Sequence, residues 1–129
     1  RMTVLLDTHV LIWLTQDLSY LGKKSRSLLK KAPKVYFSPV SIAELEIKSA
    51  VRKMKYDSNF VKRLQTAGLT ELPFTSAHAA NVSRFPTLTR HDPSDRMLLA
   101  QAAAENITLM TADQKLLDLE FNWIIDAHD

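Results

Sequence analysis

Four acidic residues, Asp7, Glu44, Asp95 and Asp113, each stand where an apolar segment gives way to the start of a helix. Carboxylates brought to one place repel one another unless a cation holds them, and a set of hard oxygen donors favours Mg²⁺ or Mn²⁺. Such an ion can polarise a phosphodiester and lower the pKa of a bound water, which a further carboxylate can orient for in-line attack. The chemistry the four would perform together is therefore hydrolysis. Singly, each has a structural explanation. Asp7 suits a strand-to-helix turn, and Ser41-Ile42-Ala43-Glu44 matches a capping box. Asp95 and Asp113 fall in first turns, where an acid favours the helix dipole. Their common position at one edge of a parallel sheet is what favours the metal reading.

Other polar residues near these acids are weaker candidates. Thr8, Arg90 and Arg96 could contact a phosphate, although Thr8 is also placed to cap a helix and either arginine could pair with a nearby acid. His9 and His91 suit structural or substrate-orienting roles better than ligation of a carboxylate-held, oxygen-seeking ion. With no cysteine in 129 residues, disulfides, thiolate zinc and iron–sulfur sites are excluded, and a reducing cytoplasm is the expected compartment. Runs such as Val10 to Leu14 and Met97 to Ala100 fall far short of the roughly 20 residues that span a bilayer, and no secretion signal is evident, so no membrane partner is expected. Arg1, ahead of Met2, reads as an added residue.

Net charge is +3 and the pI about 9.3, a mild basic bias. It is concentrated in Lys23, Lys24, Arg26, Lys30, Lys31 and Lys34, and in Lys48, Arg52, Lys53 and Lys55. Such runs are ordinarily solvated helix faces, and only proximity to a phosphate-cutting site would make them substrate contacts.

The elements that must position the acids follow from periodicity and caps. A strand over Thr3 to Leu6 leads to a helix from His9 to Thr15 capped by Thr8, then a helix from Lys23 to Lys31 and a strand from Val35 to Phe37. Ser38 and Pro39 open a helix to about Met54, with Ile42, Leu45 and Ile47 expected inside. Asn59 to Thr66 and Ser76 to Ser83 read as helices, separated by a short strand at Leu69 to Leu72. Arg84 to Asp92 reads as a loop near the site, with Asp92 capping and Pro93 opening the helix Ser94 to Glu105. A strand at Thr108 to Met110, a helix at Ala112 to Leu119 capped by Thr111, and an edge strand at Trp123 to Ile125 complete the chain. The expectation is one α/β domain over residues 1–129, a parallel sheet of about five strands flanked by helices.

Three segments carry a resemblance: Leu5-Leu6-Asp7-Thr8-His9-Val10-Leu11-Ile12-Trp13, His91-Asp92-Pro93-Ser94-Asp95-Arg96-Met97-Leu98-Leu99-Ala100-Gln101-Ala102, and Thr111-Ala112-Asp113, with Glu44 between the first two. In this order, over nearly the whole chain, they resemble a PIN domain, and most closely the VapC-type toxins of prokaryotic toxin–antitoxin pairs. The resemblance implies a Mg²⁺- or Mn²⁺-dependent endoribonuclease acting on single-stranded or loop RNA, often structured RNAs such as tRNA. It implies Asp7, Glu44, Asp95 and Asp113 as the catalytic and metal-binding acids, with Thr111 supporting the last. It also implies a homodimer, or a hetero-oligomer with an antitoxin that buries an apolar segment in a groove and places a basic side chain near the acids. Trp13, Leu14, Tyr20, Leu21, Leu28 and Leu29 are candidates for that groove, although apolar residues at helical spacing are normally core.

Two other functions compete. A phosphotransfer enzyme would use Asp7 as phosphate acceptor, but His9 stands where haloacid-dehalogenase phosphatases want a second Asp, and the acidic pair and late-strand lysine of a receiver domain are not found. A non-catalytic RNA-binding PIN-like module would keep the fold without the chemistry.

Overall fold

Val4–Leu6 (β1) is a strand of three apolar residues, all fully buried, so it has helices over both faces rather than one face in water. In the computed structural model, which describes residues 2–52, 57–85 and 93–129, β1 lies at the centre of a five-stranded parallel sheet. The other strands are Val35–Phe37 (β2), Thr70–Glu71 (β3), Thr108–Thr111 (β4) and Ile124–Asp126 (β5), in the spatial order β3-β2-β1-β4-β5. Among the described residues seven helices flank the sheet: Thr8–Gln16 (α1), Lys23–Lys31 (α2), Pro39–Arg52 (α3), Phe60–Thr66 (α4), Ser76–Ala80 (α5), Pro93–Glu105 (α6) and Gln114–Leu117 (α7).

This order puts a functional constraint on the chain. From β1 the strands progress outward through β2 to β3, after which the chain returns across the sheet and continues through β4 to β5. The direction reverses between β1 and β4, and the carboxyl ends of strands at such a switch point frame a ligand crevice in open α/β sheets. Leu6 pairs in register with Met110, so the next residues of both strands reach the edge side by side. Alternation along the strands divides the core. Val4, Leu6 and Met110 pack with Val10, Leu11 and Phe37 on one face, and Leu5 and Leu109 with Leu98, Leu99 and Leu116 on the other.

Several local expectations are corrected. Asp7, not Thr8, is the N-cap of α1, because its carboxylate accepts from the Thr8 amide. Thr111 is the last residue of β4 rather than a cap, and Asp113 caps a shorter α7. The strand expected over Leu69 to Leu72 spans Thr70–Glu71, with the Leu72 amide donating to Phe37 O at 2.8 Å just beyond it, and the helix expected to reach Ser83 stops at Ala80, followed by a 3₁₀ turn over Val82–Arg84. Ile47 is 64% exposed; two residues beyond the buried Leu45, it sits about 200° around the helix and faces away. The end of the helix expected at Met54, and the loop segment from Pro86 to Asp92, lie outside the described residues.

Gly22 shows how the C-terminal segment is held. It is the N-cap of α2, and its amide donates to Ala127 O at 2.9 Å while the Ser25 amide donates to Asp129 O at 2.9 Å. A Cβ at position 22 would collide with the backbone of His128 and Asp129. Gly22→Ala is therefore expected to lower the unfolding free energy by about 1–3 kcal/mol in urea denaturation, the usual cost of overpacking a fixed contact. An unchanged midpoint would show that the C-terminal segment does not pack here.

Candidate functional site

Asp7 leaves the end of β1 still tied to the sheet, its amide donating to Met110 O at 3.0 Å. The side chain is buried, with Oδ1 accepting from the Thr8 amide at 2.7 Å and Oδ2 from the Thr111 hydroxyl at 2.5 Å. Burial pushes this carboxyl above its ordinary range; the Thr111 and Thr8 hydrogen bonds oppose that shift, the charge of Glu44 adds to it, and His9 opposes it. Thr111 does double duty, since its oxygen also accepts from the Asp113 amide at 3.0 Å. Asp113 then caps α7 through Oδ1, which accepts from the Lys115 amide at 2.9 Å.

Glu44 lies in the second turn of α3. The helix starts as expected, with Ser38 Oγ accepting from the Val40 amide at 3.1 Å and Pro39 as its first residue. Glu44 Oε1 accepts from the hydroxyls of Thr8 and Ser94, both at 2.8 Å, and Oε2 lies 2.6 Å from Lys48 Nζ. Thr8 Oγ1 is also 2.9 Å from Ser41 Oγ. Hydroxyls from α1, α3 and α6 thus meet around one carboxylate. Asp95, half-buried in the first turn of α6, completes the set.

Asp7, Glu44, Asp95 and Asp113 line a single cleft of about 490 Å³, together with His9 and Lys48. The other expected site residues are placed differently. Thr8 is buried, with its hydroxyl on Glu44 rather than turned to the cleft. Arg96 Nη2 donates to Val82 O at 3.4 Å, and Arg96 does not line the cleft. Arg90, His91 and Asp92 lie outside the described residues. Lys48 and Ser94 were missed as site residues; Lys48 carried a readable signal, an i,i+4 spacing from Glu44.

The donor chemistry suits a hard divalent ion, with oxygen available from four carboxylates. Among the described residues no three acid or histidine side chains close into a ready cage. Mg²⁺ does not require one, because it keeps several waters and is commonly held by one or two carboxylates plus substrate phosphate. The acids that line the cleft fit such a hydrated ion, and Glu44 among them is fixed by two hydroxyls on Oε1 and by Lys48 on Oε2.

The groove candidates divide. Leu14, Leu21 and Leu29 line a groove of about 770 Å³ rimmed by Lys23, Arg26 and Lys30. Trp13 lies on the acid cleft, stacked on the exposed Tyr20 at 5.2 Å between ring centroids, and Leu28 packs against the core.

The raised pKa of Asp7 has a consequence for stability. A carboxyl raised on folding binds more protons in the folded than in the unfolded chain, so stability falls as pH rises from 3.8 through the folded pKa and stays lower above it. In metal-free buffer, Asp7→Asn should therefore melt above the unaltered chain at pH 7, with the gap narrowing as pH falls toward 4. A gap that widens in acid would mean that the buried carboxylate stabilises the fold.

The PIN domain matches residues 4–122. Ribonuclease VapC22 of Mycobacterium tuberculosis is 26% identical over 121 residues, 88% of this chain and 89% of that protein. VapBC-1 from nontypeable Haemophilus influenzae superposes with a TM-score of 0.71 at 20% identity, covering 99% of this chain and 100% of that one. VapBC2 from Rickettsia felis, solved bound to a DNA fragment from its promoter, gives a TM-score of 0.69 at 21% identity, covering 97% and 98%. The match over residues 4–122, most of the chain, makes this chain a member of the PIN domain family.

Proposed function

We propose that this chain is a metal-dependent endoribonuclease and the toxin of a toxin–antitoxin pair. The observation that carries the reading is the buried Asp7, fixed by Thr111 at the switch point of the sheet and opening on the cleft that Glu44, Asp95 and Asp113 also line. The similarity to a protein named as a ribonuclease supports the reaction class. The likeness to VapBC and toxin–antitoxin complexes supports an antitoxin partner.

Asp7, Asp95 and Asp113 would hold Mg²⁺ or Mn²⁺, which when bound supplies Lewis-acid polarisation of the phosphodiester and a water of lowered pKa. Thr111 fixes the carboxylate of Asp7 toward the cleft and the backbone of Asp113 beside it. Glu44, whose Oε1 accepts from the hydroxyls of Thr8 and Ser94, orients the attacking water. The substrate is RNA, with structured RNAs such as tRNA as the expected class, and the site of action is the cytoplasm. No helix among the described residues is long and apolar enough to cross a membrane. The groove lined by Leu14, Leu21 and Leu29 suits an apolar antitoxin segment, and the exposed Ile47 and Val51 on α3 offer an apolar face for a homodimer.

A phosphotransfer role for Asp7 fits less well, because His9 stands where haloacid-dehalogenase phosphatases want a second Asp. The reading is tested by substitution. Asp7→Asn should reduce Mg²⁺-dependent cleavage of RNA by about 10²–10⁴-fold, measured on preparations cleared of contaminating nuclease. Full cleavage by that variant would overturn the mechanism, and tight RNA binding without cleavage by the unaltered chain would favour a non-catalytic module. Thr111→Val, which removes the orienting hydroxyl and keeps the acids, should cost about 10–100-fold in activity or in metal affinity. Equal activity would leave Thr111 with a packing role alone.

A further inference from the structure

We propose that Lys48 is a substrate-phosphate contact which, without RNA, is parked on Glu44 as an internal counter-ion of the acid cleft; the proposal rests on the nuclease reading above. An i,i+4 Glu–Lys pair on a helix is usually a surface feature of little energetic weight. This pair differs in its setting. The Glu44 side chain is only 9% exposed and its Oε1 is fixed by Thr8 and Ser94, so Oε2 has a set position, and Lys48 Nζ meets it at 2.6 Å. Lys48 itself is 35% exposed. It lines both the acid cleft and an adjoining apolar cavity of about 530 Å³ that includes Val40, Phe74 and Met97. Its hydrocarbon stem can therefore rest on apolar surface while the ammonium group sits at the cleft mouth.

Charge balance gives that position a function. An empty cleft with four acids is disfavoured by repulsion, and a tethered ammonium offsets part of it. When a divalent ion neutralises the acids, the ammonium is no longer required on Glu44. A lysine then has the flexible stem and three donors needed to move to a phosphate oxygen entering the same cleft. One side chain thus opposes metal binding slightly and favours RNA binding, and that opposition of signs is unlike a purely structural salt bridge.

Lys48→Met keeps the stem and removes the charge. Two measurements are needed: Mn²⁺ affinity by calorimetry without RNA, and affinity for a mixed-sequence single-stranded oligoribonucleotide in Ca²⁺, with the RNA shown intact afterwards. The variant should bind Mn²⁺ about 3–10-fold more tightly, because a competing cation is gone. It should bind the oligoribonucleotide about 5–10-fold more weakly, with the slope of log affinity against log salt shallower by about 0.7, the value for one phosphate contact on a single strand. Lys48→Arg should restore most of the RNA affinity, and Lys48→Gln should repeat the methionine result if Lys48→Met does not fold. Unchanged RNA affinity and salt slope, or Mn²⁺ binding that is unchanged or weaker, would overturn the proposal. Failure of the nuclease reading would show differently, as an unaltered chain that binds neither Mn²⁺ nor RNA or an Asp7→Asn variant that still cleaves.

Discussion

The hydrogen bond from the Thr111 hydroxyl to Asp7 Oδ2 joins the carboxyl ends of two adjacent parallel strands, and the cleft is arranged around that join. A carboxylate taken out of water is costly unless donors replace its hydration. Here one donor is the Thr8 amide at the start of α1 and the other comes from β4, so the charge is tolerated only while helix and strand keep their places. Strand order makes this possible. Because direction reverses between β1 and β4, no connection crosses above their carboxyl ends, and the edge is left open to a ligand.

A second ring of interactions depends on the first. Thr8 follows Asp7 directly, so fixing Asp7 as the N-cap also fixes where the Thr8 hydroxyl points, and that hydroxyl holds Glu44. Ser94, from the first turn of α6, holds the same oxygen, and Asp95 is its neighbour in sequence. The carboxylates are therefore not independently placed. Packing of α1, α3 and α6 against the two faces of the sheet sets their positions together, and a shift in any one helix would disturb more than one acid. Double substitutions across this network should consequently be non-additive, as for any group of directly bonded residues.

The acids and the strands were legible in the sequence because their signals are local. Val4-Leu5-Leu6 is a short apolar run ended by an acid, and Pro93 with an alanine-rich stretch behind it marks α6. The hydroxyl residues were less legible for a physical reason. A threonine before a helix has a nearby backbone amide to cap and may equally reach a partner across the fold, and sequence shows only the first option. Thr111 bonds a residue 104 positions away and Thr8 one 36 positions away, so neither partner is visible locally, and the caps their positions suggest are in fact provided by Asp113 and Asp7. Ser94 had no distinguishing mark at all. Ile47 is apolar yet exposed for a simpler reason: helix rotation past the buried Leu45 carries it to the far face.

The open arrangement of the acids also bears on how the proposed nuclease would choose its substrate. A closed carboxylate cage would bind its ion tightly whether or not RNA were present, whereas an ion that keeps several waters in an open cleft leaves coordination positions for phosphate oxygens. Metal and substrate binding are then coupled, and by reciprocity each raises the affinity for the other by the same factor. Glu44 already has hydroxyls on one oxygen and Lys48 on the other, so it contributes charge and orientation more readily than a vacant coordination site. On the proposed function, much of the discrimination among phosphodiesters would fall to the geometry that lets a strand approach this cleft, because the acids themselves carry no information about base sequence.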